Sequence, residues 1–136
     1  MVEAKLVSEL VPTFAAIDCG TNAIRLLIAA VDRNTVTDHL REMRTVRLGE
    51  GVDATGEFRD TALERTFAAC REYAELLMQY EIKELRFIAT SASRDVSNRD
   101  AFTAGVKEIL GVEPEVIGGD QEAELSYRGA LSGLDV

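Results

Sequence analysis

The sequence is short of the residues from which metal and nucleophile sites are most often built. It has two cysteines, Cys19 and Cys70, and one histidine, His39. The cysteines are too far apart to form a chelating pair, and two thiols do not make a disulfide framework, so both read as small buried apolar residues. A lone histidine without a Cys/His cluster argues against a zinc site or a Ser-His-Asp type of triad. No window approaches the roughly 18 uninterrupted apolar residues of a membrane span. Met1 to Pro12 has no basic start followed by an apolar run, so no secretory signal is expected. The chain reads as cytoplasmic. Positive charge is also scarce: 15 Lys and Arg against 24 Asp and Glu give a net charge of −9. That balance disfavours nucleic-acid and membrane-surface partners, which reward proteins for displacing counterions from phosphates. A polyanionic ligand would have to meet a local exception, built from metal ions and a few placed arginines.

What is present is enough apolar material for one ordinary core, 46% of 136 residues. One domain, or half of a larger one, is the expectation. Thr13 to Asp32 reads as two apolar strands hinged at Asp18-Cys19-Gly20-Thr21-Asn22, a turn composition. A third strand is expected from Val36 to about Leu48, where charged and β-branched residues mix. A polar, glycine-punctuated loop, Gly49 to Gly56, follows. A helix is expected from Thr61 to Tyr80, with Thr61 and Glu64 at capping-box spacing and Leu63, Phe67, Cys70, Ala74 and Leu77 along one face. Leu85 to Ala89 is a short strand that runs into the loop Thr90-Ser91-Ala92-Ser93-Arg94. A helix from Arg99 to Leu110 is capped by Asn98 and stopped by Gly111. Val116 and Ile117 form a last strand, and Asp120 opens a helix to about Leu131. The order βββαβαβα predicts an α/β fold, a mixed five-stranded sheet with helices on its faces. Ligands of open sheets bind beyond the carboxyl ends of strands.

Three segments carry candidate chemistry. In the hinge, Asp18 ends a buried strand and offers a carboxylate to a metal ion. Gly20 lets the backbone approach a ligand, Thr21 and Asn22 present phosphate-binding donors, and Arg25 adds a positive charge. The same composition also suits a plain hairpin turn. Arg94 stands where an arginine could grip a phosphate in bidentate fashion, although apolar strands often exit into ordinary polar loops. In Gly118-Gly119-Asp120-Gln121-Glu122, the glycines allow close approach of a ligand. Acidic residues in a first helical turn are also common partners of the helix dipole.

Taken together, these pieces resemble the Ppx/GppA family of exopolyphosphatases and guanosine pentaphosphate phosphatases. AAIDCGTNAIRLLIA resembles its first phosphate loop, VRLGEGVDATG the segment after it, IATSASRDVSNRDAF its arginine loop, and VIGGDQEAELSYRGALSGL its catalytic-glutamate segment. The resemblance runs in order from Phe14 to Leu134. It implies an actin-like, ribonuclease H-like fold in which two similar subdomains face each other across a cleft. It also implies magnesium-dependent hydrolysis of terminal phosphoanhydrides, with polyphosphate or guanosine pentaphosphate as the substrate. On this basis Glu122 matches the catalytic base, Asp18, Gly20, Thr21 and Asn22 the first phosphate loop, and Arg94 the phosphate-contacting arginine. Gln121, Glu124, Thr21 and Ala23 depart from the family pattern. The family's second phosphate loop, of Asp-x-Gly-Gly-Gly-Ser-x-Glu type, would follow Val136. The chain is therefore expected to be an N-terminal extension, residues 1–12, followed by one subdomain, residues 13–136. Without the C-terminal subdomain it is expected to turn over poorly, and the sheet face so uncovered would favour a homodimer. A kinase or ATPase of the same superfold and a non-catalytic phosphate- or nucleotide-binding module are the competing classes.

Overall fold

The computed structural model describes residues 11–90 and 96–116. The expected helix from Asp120, Ile117, Arg94 and Glu122 lie outside the described residues. Five strands form one mixed sheet: β1 (Thr13–Cys19), β2 (Ala23–Asp32), β3 (Thr35–Thr45), β4 (Ile82–Ala89) and β5 (Glu115–Val116), in the spatial order β3-β2-β1-β4-β5. β1 pairs antiparallel with β2 and parallel with β4, β2 pairs antiparallel with β3, and β5 adds parallel to β4. This is the arrangement expected of an actin-like subdomain.

The placement of the strands follows from their composition. TFAAI and LLIAAV are apolar on both faces, so β1 and β2 occupy central positions where both faces are dry. β3 carries Asp38, His39, Arg41, Glu42 and Arg44 and forms the edge, where charge discourages pairing with another chain. Side chains alternate across the sheet. Ala15, Ile17, Cys19, Ile24, Leu26 and Ile28 face the main core, and Phe14, Ala16, Leu27, Ala29 and Val31 form a second cluster.

Two helices pack on the main-core face: α2 (Asp60–Leu77) and α3 (Arg99–Leu110). Phe102 of α3 meets the Phe58 ring at a tilt, with centroids 5.6 Å apart, and the Phe87 ring edge-on at 6.0 Å, tying the helix to β4 and to the chain entering α2. Gly105 brings α3 close to α2, because a side chain there would run into the Phe67 ring. Both thiols are buried and unpaired in disulfides. Burial pushes Cys19 up and Cys70 up to about 12, so both stay neutral and pack as apolar groups. Among the described residues, no helix is long and apolar enough to cross a membrane.

Several local expectations are corrected. β3 ends at Thr45, not Leu48, because Val46 and Arg47 both donate their N–H to Asn22 O, at 2.9 Å each. Arg47 then turns the chain with φ 48°, sending Val46 and Leu48 into the core. Within the expected loop Gly49 to Gly56 there is a single helical turn, α1 (Val52–Thr55), bracketed by Gly51 and Gly56 at φ 78° and 74°. α2 does not use the Thr61/Glu64 capping box. Its N-cap is Arg59, without a side-chain cap bond. The start is set one residue upstream: Phe58 is buried, and the Asn98 amide accepts from its N–H at 2.8 Å and donates to its carbonyl at 3.0 Å. Asn98 is thus the N-cap residue of α3, as expected, but its side chain serves Phe58 instead of capping the helix. The buried stripe of α2 is Ala62, Leu63, Thr66, Ala69, Cys70 and Tyr73, while Phe67, Ala74 and Leu77 sit at its half-buried margin. The small residues Ala62 and Ala69 let the helix lie close to the sheet. β4 begins at Ile82, three residues earlier than expected, since Thr13 and Phe14 of β1 offer partners to Ile82 and Glu84.

Tyr73 joins helix to sheet by a polar contact as well as by packing. Its fully buried hydroxyl donates to Ile24 O at 2.7 Å, and Arg44 lies over the outer face of its ring, 5.5 Å from the centroid. Tyr73→Phe keeps the ring and removes this buried hydrogen bond, so a loss of about 1 kcal/mol is expected. An unchanged urea midpoint would show that the bond contributes nothing.

Candidate functional site

The parallel register decides where polar loops leave the sheet. Cys19 of β1 lies beside Ala89 of β4, and Ala89 lies beside Val116 of β5. The three strands therefore end level, at one edge. The Asp18–Asn22 hinge leaves from the first and the Thr90–Arg94 loop from the second. The chain toward Glu122 leaves from the third. Thr90 is fastened to the hinge, its N–H donating to Cys19 O at 3.0 Å and its hydroxyl to the same oxygen at 3.3 Å.

Within the hinge, Gly20 donates its N–H to Ala23 O at 2.9 Å and closes the turn. Its own N–H is thus already engaged. The carbonyls of the next two residues face the segment after β3: Gly49 donates to Thr21 O at 3.0 Å, and Val46 and Arg47 donate to Asn22 O. In a trans peptide the N–H points opposite to the carbonyl. The Asn22 and Ala23 N–H groups are thus turned away from residues 46–49. The Thr21 and Asn22 side chains are exposed. A turn with the Asn22 amide on the side away from the strap, beside an exposed hydroxyl and an exposed side-chain amide, is suited to meeting an anion.

Asp18 stands directly opposite Arg25 across the β1–β2 pair, and Arg25 opposite Met43 of β3. Residues in register share a face, so this row lies on the side of the sheet away from α2 and α3. Asp18 is half-buried and Arg25 exposed. The structure brings Asp18, Gly20, Thr21, Asn22 and Arg25 together. Arg94 and Glu122 lie outside the described residues, five residues after Ala89 and six after Val116 in sequence.

Sequence reasoning missed the support behind the hinge. Residues 46–50 form a strap across it, held from α2 by Arg65. That guanidinium donates to Val46 O at 2.8 Å and to Arg47 O at 3.4 Å. An arginine on the exposed side of an amphipathic helix carries no signal of that duty. Gly49 was visible only as a turn residue, yet a Cβ there would collide with Thr21 Cγ2.

Residues 27–136 match the model of the Ppx/GppA phosphatase family. The chain belongs to this family. It is 53% identical over 129 residues to Exopolyphosphatase 2 of Mycobacterium tuberculosis, an alignment that covers 88% of this chain and 40% of the relative. It is 33% identical over 118 residues to the guanosine-5'-triphosphate,3'-diphosphate pyrophosphatase of Photobacterium profundum, covering 87% of this chain and 24% of the relative. The crystal structure of the Ppx/GppA family member of Aquifex aeolicus superposes with a TM-score of 0.78 at 29% identity, over 91% of this chain and 40% of that one. The chain thus spans well under half the length of the relatives it matches.

Two predictions follow from the geometry of the Ppx/GppA hinge. Gly49→Ala forces Thr21 into another rotamer, at a cost of about 0.5–1.5 kcal/mol. Adding Thr21→Ser, which removes the colliding methyl, should restore stability, and a double-mutant cycle with no coupling would refute the contact. The second concerns β5, which is tied to β4 by Arg86, whose Nε and Nη2 bond the Glu115 carboxylate at 3.0 and 2.7 Å. That hydrogen bonding holds the Glu115 carboxyl below the ordinary glutamate range. A depressed folded pKa gives a stabilisation that is present above the unfolded value and lost as pH falls through the folded one. Protection of the Val116 amide, relative to its intrinsic exchange rate, should therefore fall on acidification below the ordinary glutamate range, and Glu115→Gln should remove that dependence.

Proposed function

We propose that this chain carries one wall of a cytoplasmic phosphoanhydride hydrolase site that releases terminal orthophosphate from inorganic polyphosphate. The reading rests on the level ends of β1, β4 and β5, which send the hinge, the Thr90–Arg94 loop and the Glu122 segment out of one edge of the sheet. The higher identity to an exopolyphosphatase than to a guanosine pentaphosphate enzyme favours the polymer as substrate.

In this reading the Asn22 backbone amide, with the Thr21 and Asn22 side chains, holds oxygens of the terminal phosphoryl group. Arg25 and Arg94 offset its charge. Glu122 orients a water and takes its proton as the water oxygen bonds to the terminal phosphorus. The bond from that phosphorus to the bridging oxygen breaks, leaving orthophosphate and a polymer one unit shorter. Phosphoryl transfer asks mainly for positioning and charge neutralisation, which these groups supply. Among the described residues there is no cluster of three or more His, Cys, Asp or Glu side chains able to hold a metal. A single carboxylate at Asp18 nevertheless fits magnesium, which keeps several waters and is commonly held by one or two carboxylates together with substrate phosphates. Bound there, the ion would supply further neutralisation of phosphoryl charge. A second subdomain bearing the opposing phosphate loop would complete the cleft, so the 136-residue chain alone should be slow.

The test is magnesium-dependent orthophosphate release from long-chain polyphosphate and from guanosine pentaphosphate. It compares this chain with a version completed by the C-terminal part of the mycobacterial relative. Glu122→Gln in the completed version should lower the rate by about 10²–10⁴, the usual worth of a general base, without shifting thermal unfolding. Full activity in that variant would remove Glu122 from the mechanism. Faster release from guanosine pentaphosphate would reassign the substrate.

A further inference from the structure

The hinge is backed by a cluster of charge that the proposed reaction does not use. Three arginines converge on one carboxylate: Arg65 lies 3.3 Å from Glu50, Arg47 3.7 Å and Arg59 3.8 Å. Three guanidiniums thus share one carboxylate, in a chain whose net charge is −9.

The three arginines are not equivalent. Arg65 is the structural one: it bonds Val46 O, Arg47 O and the Glu50 carboxylate. Arg47 and Arg59 pair with Glu50 beyond hydrogen-bonding distance and make no side-chain hydrogen bond among the described residues. Their side chains are 59% and 56% exposed. Each presents a fork of guanidinium donors suited to bidentate binding of phosphoryl oxygens. Glu50 gathers the forks without consuming them.

Position relates the cluster to the hinge. Arg47 N–H is bonded to Asn22 O, and Gly49 N–H to Thr21 O. The backbone that carries the cluster is thus hydrogen-bonded directly to the proposed phosphate cradle. Arg47 also sits at φ 48°, a region sparsely populated by residues other than glycine. The chain accepts that strain where the strap bends over the hinge. On the other side, Gly51 leaves room for the Arg59 side chain, whose Nε a Cβ would strike.

We propose that Arg47 and Arg59, assembled by Glu50 and Arg65, form a second anion subsite for inorganic polyphosphate. It would take phosphoryl groups further along the polymer than the one that reacts. This inference rests on the reading of the hinge as a phosphate cradle and deepens it: the cradle holds the end of the chain and the arginine pair holds its body. A single orthophosphate reaches only the cradle.

The experiment measures binding of long-chain polyphosphate and of orthophosphate to the 136-residue chain by titration calorimetry at several salt concentrations. The chain itself is compared with Arg47→Ala/Arg59→Ala and with Glu50→Gln. The double variant should bind polyphosphate about tenfold more weakly or worse, with the slope of log affinity against log salt reduced by about two, one for each lost phosphate contact. Orthophosphate affinity and thermal unfolding should not change. Glu50→Gln should weaken polyphosphate binding, because it removes the carboxylate that gathers the two forks, whereas a merely long-range attraction would tighten on losing a negative charge and would overturn the proposal. The proposal is overturned by an unchanged affinity and salt slope in the double variant. It is also overturned by no measurable polyphosphate binding to the unmodified chain, or by a single-stranded DNA of equal charge that binds as tightly and is weakened equally. If the cradle reading alone is wrong, orthophosphate binding is absent while the effect of the double variant on polyphosphate persists.

Discussion

The dryness of both faces of β1 and β2 governs most of this molecule. A strand with apolar side chains above and below has no water within reach of its backbone, so each N–H and C=O must find a ladder partner. β1 satisfies this with β2 on one side and β4 on the other, over its whole length. The requirement stops at Cys19, where the apolar run ends and Gly20 closes the turn. Asp18, Thr21 and Asn22 stand at that point because the end of a central strand is where polar groups regain space and solvent. The same limit applies to β4 at Ala89, so the end shared by β1, β4 and β5 is where the proposed site lies.

An end of this kind needs fixing, since loops are softer than the strands that deliver them. The hinge is fixed from behind. Its carbonyls are taken by residues 46, 47 and 49, those residues are held by Arg65, and Arg65 belongs to a helix anchored through Tyr73 and Cys70 in the main core. The amides are left on the far side. With the Thr21 and Asn22 carbonyls engaged in this way, the turn is held in one conformation, the preorganisation that the proposed anion-binding role calls for.

Electrostatics at this end run against the charge of the whole chain. A strongly acidic protein repels polyanions at long range, and screening confines that repulsion to roughly a nanometre at physiological salt. Within that distance the local array decides. Arg25 in the row with Asp18, and Arg47, Arg59 and Arg65 around Glu50, place guanidiniums on both sides of the hinge. Arginine would suit the proposed phosphate contacts because its planar fork meets phosphoryl oxygens two at a time.

Much of the fold was legible in the sequence. The two-sided apolar runs marked the central strands, the 3.6-residue period marked α2, and Asn98 and Gly111 bounded α3. The hinge at Asp18–Asn22 was legible too, because a carboxylate, a glycine and two small polar residues interrupt an otherwise apolar stretch. Local spacing erred where a distant group took over a local role. Asn98 turned its side chain to Phe58, forty residues away in sequence, and this set the start of α2 in place of Thr61. Asn22 O drew two amides from the end of β3 and cut that strand short. Composition and periodicity therefore determined which segments are strands and helices and which loop bears the donors. Only the tertiary structure decided which way those donors face and which arginines stand beside them, because hydrogen bonds and ion pairs between residues far apart in sequence depend on register and packing, and neither is encoded in local pattern.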